Sequence, residues 1–278
     1  MRNARHAQHI ITPCRSRSRL MQSLEEFGLQ LPSAHTAGFV ALESRAHDRQ
    51  QVLLARHQAN LERIIQLTLE RSDRINSITQ PDPDWLEHFL ELAERTSHTR
   101  MQELWSRVLL MESQSPGSFS VRALRVLAEL TPYEAVILRK AKAFTAYEKR
   151  AARHKIIIGY QQRPRFMKLL LSPTMQQVNL AKCGLNYPDI LSLVDLGLLH
   201  ADMIESGILQ QKKGIVLSLS SERVVLTPMM NDLVLTYFRY TPIGEELCRL
   251  ISASFNDTYW GELEQTFEGK FLLQKGNY

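Results

Sequence analysis

Between residues 81 and 144 the apolar positions fall into four blocks, each with the three- and four-residue spacing of one helix face. Each block also carries its own start signal. Asp82 followed by Pro83 opens the first, whose apolar face is Trp85, Phe89, Leu92 and Ala93. Ser97 is placed to cap the second, which repeats Met101, Leu104, Trp105, Val108 and Leu109 until SQSPGS ends it. Ser120 precedes the third, with Leu124, Leu127 and Leu130, and Thr131-Pro132-Tyr133-Glu134 reads as a capping box opening the fourth.

Residues 41 to 78 hold no glycine or proline and predict one long helix. Leu54, Leu61, Ile65 and Ile75 form a heptad-like stripe along it, suited to packing within the chain or to pairing with a second copy. The first 40 residues are polar and predict a flexible arm, whose first twenty residues are either an unstructured leader or an over-extended start with Met21 as the true initiator. From 156 onward the period shifts. IIIGY predicts a short strand and LNYPDILSLVDLGLL a helix. Ile215–Ser218, Arg223–Leu226 and Leu233–Phe238 are β-rich, TPIGEELCRLI opens another helix, and Asp257 is placed to cap a last one. The expectation is therefore a mainly α protein: an arm over 1–40, a helical domain over 41–155, and a smaller α+β module over 156–278. That last module resembles a winged helix. Its candidate recognition helix carries Asp189 and Asp195 and no lysine or arginine, which argues against groove reading.

Charge changes the picture locally. Of the net +5, the first twenty residues hold five arginines and no acid, a composition also found in transit peptides. Residues 139 to 168 hold ten basic residues against Glu148 alone, whereas 82 to 112 hold seven acids and three arginines. The two stretches could face each other or seat two subunits. Alternatively Lys142, Lys149, Arg150, Arg153, Lys155, Arg163 and Arg165 form a candidate anion-binding set for nucleic acid or another polyanion.

Candidate catalytic chemistry is sparse. No phosphate-binding GxxxxGK[ST], no GxSxG, no HExxH and no GxGxxG occurs. Cys14, Cys183 and Cys248 are scattered singly, as in a reducing cytoplasm, and the histidines do not pair at metal-ligand spacing. No apolar run long enough to span a membrane and no secretory h-region is present. The expectation is a cytoplasmic protein without cofactor, leaning away from an enzyme.

One block goes beyond periodicity. Gln102, Leu104, Trp105, Leu109, Glu112, Pro116, Gly117, Ser118, Phe119, Ser120, Arg122, Leu124, Leu130, Glu134 and Ala135 form a Q-x-LW…PGSFS-x-R-x-L pattern. This resembles the signature of an uncharacterised bacterial family, a domain of unknown function. QANLERI upstream and DILSLVDLGLL and TPIGEEL downstream look like further parts of it, so the likeness runs over roughly 50 to 250. In layout it is similar to helical proteins associated with abortive infection, which implies phage defence as a context. Physically, Pro116 and Gly117 permit a sharp reversal, Phe119 plugs the junction, and Glu112 is placed to meet Arg122 in a salt bridge. The alternative for Glu112 and Arg122 is a polar pocket. The functional reading is an interaction or regulatory protein with an unknown protein partner or self-association, or alternatively a polyanion binder.

Overall fold

The structure, a computed structural model, describes residues 13–29, 42–72, 78–163, 174–220 and 222–276. Helix α1 (Pro13–Glu25) lies inside the stretch expected to be a flexible arm; 1–12 and 30–41 lie outside the described residues. Helix α2 (Leu42–Ser72) is the long helix foreseen, although Ile75 of its expected stripe lies outside the described residues. The four blocks that follow become α3 (Pro83–Ala93), α4 (Thr99–Gln114), α5 (Val121–Glu129) and α6 (Pro132–Lys142).

Three of the four start signals work as written. Asp82 accepts from the Trp85 amide, Ser120 from Ala123, and Thr131 and Glu134 close a reciprocal capping box. Ser97 does not cap α4. That helix starts at Thr99, and the Ser97 hydroxyl accepts instead from Arg56 and Asn60 of α2, each at 3.1 Å. Asn60 also donates to the Glu94 carbonyl at 2.7 Å, so the α3–α4 loop is fastened sideways onto α2.

The expectation of a mainly α chain is overturned. An eight-stranded antiparallel sheet follows the helices: β1 (Thr145–Glu148), β2 (Arg153–Gln162), β3 (Thr174–Gln177), β4 (Ile204–Glu205), β5 (Ile215–Leu219), β6 (Glu222–Pro228), β7 (Leu233–Arg239) and β8 (Phe271–Lys275). The fold is α+β. Its order is β4-β7-β2-β1-β5-β6-β8, with β3 paired to β2. The helices α7 (Tyr187–Asp195), α8 (Pro242–Arg249) and α9 (Asp257–Phe267) lie between or after strands. Asn256, one residue before Asp257, caps α9.

The winged-helix expectation fails on the same topology. A wing is a small local hairpin, but β7 pairs with β2 and is separated from β5 by both β2 and β1. Residue 155, where the α+β module was expected to end its neighbour, lies within β2. One edge of β2 is shared, Arg153–Ile156 pairing β1 and Gly159–Gln162 pairing β3, while β7 runs along the other edge. The register shifts between Ile157 and Gly159. Only glycine fits that bulge, because a Cβ there would sit 2.0 Å from the Gln176 carbonyl oxygen.

Helices and sheet share one core, running from Ile64 of α2 through Trp105, Phe119 and Phe144 to Ile157, Leu226 and Phe267. Among the described residues no helix is long and apolar enough to cross a membrane.

Candidate functional site: a basic cleft on the sheet

The turn around PGSFS is the first place to look, because it is the most distinctive sequence. Its polar groups are all spent internally. The Glu112 side chain, buried at 2% exposure, accepts from the Gly117 amide at 2.6 Å and the Phe119 amide at 3.0 Å. Trp85 Nε1 donates to the Phe119 carbonyl at 2.7 Å. Glu246 of α8 accepts from both the amide and the hydroxyl of Ser120, at 2.7 and 3.0 Å. Gly117 takes φ of +83°, a conformation that costs a side-chain-bearing residue. The expected Glu112–Arg122 salt bridge is absent: Glu112 points inward at the turn it caps, and Arg122 is exposed. A polar pocket there is likewise replaced by a closed hydrogen-bonded knot. Trp105 is fully buried beside Phe89, ring centroids 5.3 Å apart. Pro116 and Ser118 stay on the turn's outer side, where the Ser118 hydroxyl donates to the Ser115 carbonyl.

The basic stretch is dispersed by the fold, and only part of it converges. Lys142 reaches toward Cys248 at 3.4 Å, Arg163 pairs with Glu205 at 2.8 Å, Arg153 is exposed at the start of β2, and Arg165 lies outside the described residues. Among the described residues no ion pair joins 139–163 to the acidic 82–112; Lys140, for instance, meets Asp189 at 3.5 Å instead.

Lys149, Arg150 and Lys155, by contrast, line one cleft of about 610 Å³ on the sheet. Strands β7, β2, β1 and β5 make its floor, where Tyr237 and Val216 give apolar surface above the buried Leu235 and Leu217. Residues 206–214 close one side. This loop is laced to β7 through Ser206 and Leu209 amides and to the end of β6 through Lys212, whose amide donates to the Pro228 carbonyl. It carries Lys213, and β6 adds Arg223, so among the described residues five cations and the single acid Glu148 surround the opening. Those two cations are far along the chain from 139–168. The Lys212-Lys213-Gly214 run marks a turn, but only strand order brings it beside the β1–β2 hairpin.

At the floor Lys155 is only 8% exposed. Its ammonium donates to Glu148 at 2.5 Å and sits 4.4 Å above the centre of the Tyr237 ring. An ammonium buried against one carboxylate and one ring has given up most of its water. A second concavity of about 480 Å³, beside α7, is lined by Ile158, Leu180, Ile190, Met203 and Phe238 and, among the described residues, has no lysine or arginine.

A buried polar cluster behind the sheet offers the other concentration of titratable groups. Glu245 of α8 accepts from the His154 amide at 2.6 Å and lies against the His154 Nδ1. Thr145 donates to the Ala141 carbonyl at 2.8 Å, which leaves its oxygen to accept from the Tyr240 hydroxyl at 2.9 Å. Burial pushes the Tyr240 phenol well above its ordinary value and raises the Cys248 thiol, the latter against the pull of Lys142. This cluster fastens α8 to β1 and β2. Among the described residues no group of three or more His, Cys, Asp or Glu is disposed to hold a metal.

No curated protein and no solved structure matches this chain. A family model does: it matches residues 44–264, from early in α2 to within α9, and so takes in the PGSFS turn, the sheet floor and the cationic rim together. The chain therefore belongs to the family described as a protein of unknown function, DUF2806.

Proposed function

We propose that this protein acts by binding, and that its ligand is a phosphate-bearing anion held in the cleft on the sheet. The observation that carries the reading is the gathering of Lys149, Arg150, Lys155, Lys213 and Arg223 around one opening from four separate segments. Cations scattered over a solvated surface would need no such convergence. A concave opening of low dielectric concentrates their field on whatever enters it. Regulation through partner contact, including a role in phage defence, would then be exercised through an anionic partner such as nucleic acid.

The test is retention on heparin and co-purification with nucleic acid, with no nuclease step. The parent protein is expected to carry nucleic acid at low salt and release it at high salt. If three or four phosphates are neutralised, the logarithm of affinity should fall with log salt at a slope of about −2 to −3. Lys149→Gln combined with Arg150→Gln should weaken retention while leaving the melting temperature in place. Salt-independent elution without nucleic acid, identical in parent and variant, would remove the reading.

A further inference from the structure

The cleft has two surfaces of different chemistry, and together they narrow the ligand. Its rim is cationic, with Lys149, Arg150 and Lys213 exposed. Its floor and one wall offer apolar surface: half-buried Tyr237 and exposed Val216 below, and Ile208, 58% exposed, on the loop. Resting on the reading above, we infer that the cleft takes a nucleoside phosphate, with the base on the apolar floor and the phosphate at the lysine and arginine rim.

Each alternative leaves part of the cleft unused. Inorganic phosphate or a sulfated polysaccharide would satisfy the rim and leave Ile208 and Val216 facing water. A duplex presents its phosphates on a convex surface and would bridge the mouth without filling about 610 Å³ of depth. That depth is in the range of small-molecule sites, roughly 300–1,000 Å³. A base is flat, largely apolar and attached to an anion at one end, and so matches both surfaces. The same unit occurs free and at the end of a single strand.

Glu148 has a defined part in this arrangement. It is the one acid at the opening, and it already holds Lys155 at 2.5 Å. An incoming phosphate competes with it for the same ammonium. Removing the carboxylate should tighten binding, which a purely structural ion pair would not predict.

Isothermal titration calorimetry of the full chain provides the test, with adenosine 5′-monophosphate, adenosine, inorganic phosphate and a twelve-residue oligothymidylate as probes. Adenosine monophosphate should bind at least tenfold more tightly than adenosine or phosphate. Lys149→Gln with Lys213→Gln should cost at least tenfold, and Glu148→Gln should tighten binding severalfold. Ile208→Ser should weaken adenosine monophosphate about threefold and leave heparin retention alone. Both lysines and Ile208 are exposed, so melting curves of these variants should match the parent. An oligonucleotide that outcompetes adenosine monophosphate tenfold identifies the strand end as the source; equal affinities identify the free nucleotide. If adenosine monophosphate binds no better than phosphate while heparin is still retained through the cleft lysines, the inference falls and the anion-binding reading stands. If neither probe responds to the cleft variants, both fall.

Discussion

The PGSFS turn and the basic cleft both gather polar groups, and they treat them in opposite ways. At the turn the Glu112 carboxylate meets two backbone amides, Glu246 takes both donors of Ser120, and Phe119 seals the knot at 1% exposure. Nothing is left over for a ligand. At the cleft five cations and the acid Glu148 line one opening, and four of the cations stand exposed. A distinctive sequence motif therefore marks the place that holds the fold, and a dispersed set of residues marks the place suited to bind.

The comparison breaks most visibly at Phe119. Phe119→Ala empties a fully enclosed site and should cost about 3–5 kcal/mol, read as a large fall in the denaturant midpoint. Glu112→Ala strands the Gly117 and Phe119 amides and should cost about 3 kcal/mol, with Glu112→Gln recovering part of it. If Glu112→Ala melted like the parent, the turn would not be the knot described here. Ser120→Ala loses its cap to Ala123 and one bond to Glu246, for about 1 kcal/mol.

Alkaline pH probes the cluster behind the sheet. The ordinary values are 9.0 for the Cys248 thiol and 10.0 for the Tyr240 phenol, and the folded protein raises both. Their neutral forms are favoured in the folded state, so their contribution is complete below about pH 9. It is lost as pH rises further, because the unfolded chain ionises while the folded one does not. Each group in that regime removes about 1.4 kcal/mol per pH unit. Cys248→Ala should make the decline between pH 9 and pH 10 shallower without abolishing it, because burial also raises the Cys183 thiol from its ordinary 9.0.

The smallest effect sharpens the contrast. Arg122→Ala, at an exposed residue beside the turn, should leave both melting and heparin retention unchanged. A loss of stability there would restore the salt bridge that the structure replaces with amide contacts.

Local signals carried the helices further than the sheet. Asp82, Ser120 and the Thr131–Glu134 box announce helix starts through contacts three residues away, which a sequence displays directly. Strands β5, β6 and β7 were visible as β-rich runs, and part of β2 as IIIGY. Strands β1, β3, β4 and β8 are two to five residues long and hold too few alternations to show a period. Strand order was not legible at all, since pairing β7 with β2 depends on contacts some 80 residues apart. The cleft suffered from the same gap. Lys149, Arg150 and Lys155 stood out as part of a basic run, but Lys213 and Arg223 join them only once β1 and β5 are neighbours. Lys142 and Arg163 shared that run and were drawn elsewhere by Cys248 and Glu205.

The bond between Ser120 and Glu246 spans 126 residues. On a ribosome the helical half leaves the exit tunnel first, yet the acceptor that completes its central turn has not been made. At roughly 5–20 residues per second the wait is on the order of ten seconds. During that interval Glu112, Trp85 and the local Ser118–Ser115 contact must keep the reversal closed, and the apolar faces of α3 to α5 stay partly uncovered. Slow elongation through the sheet would lengthen the period in which the nascent chain is open to misassociation, and α8 is the piece that ends it.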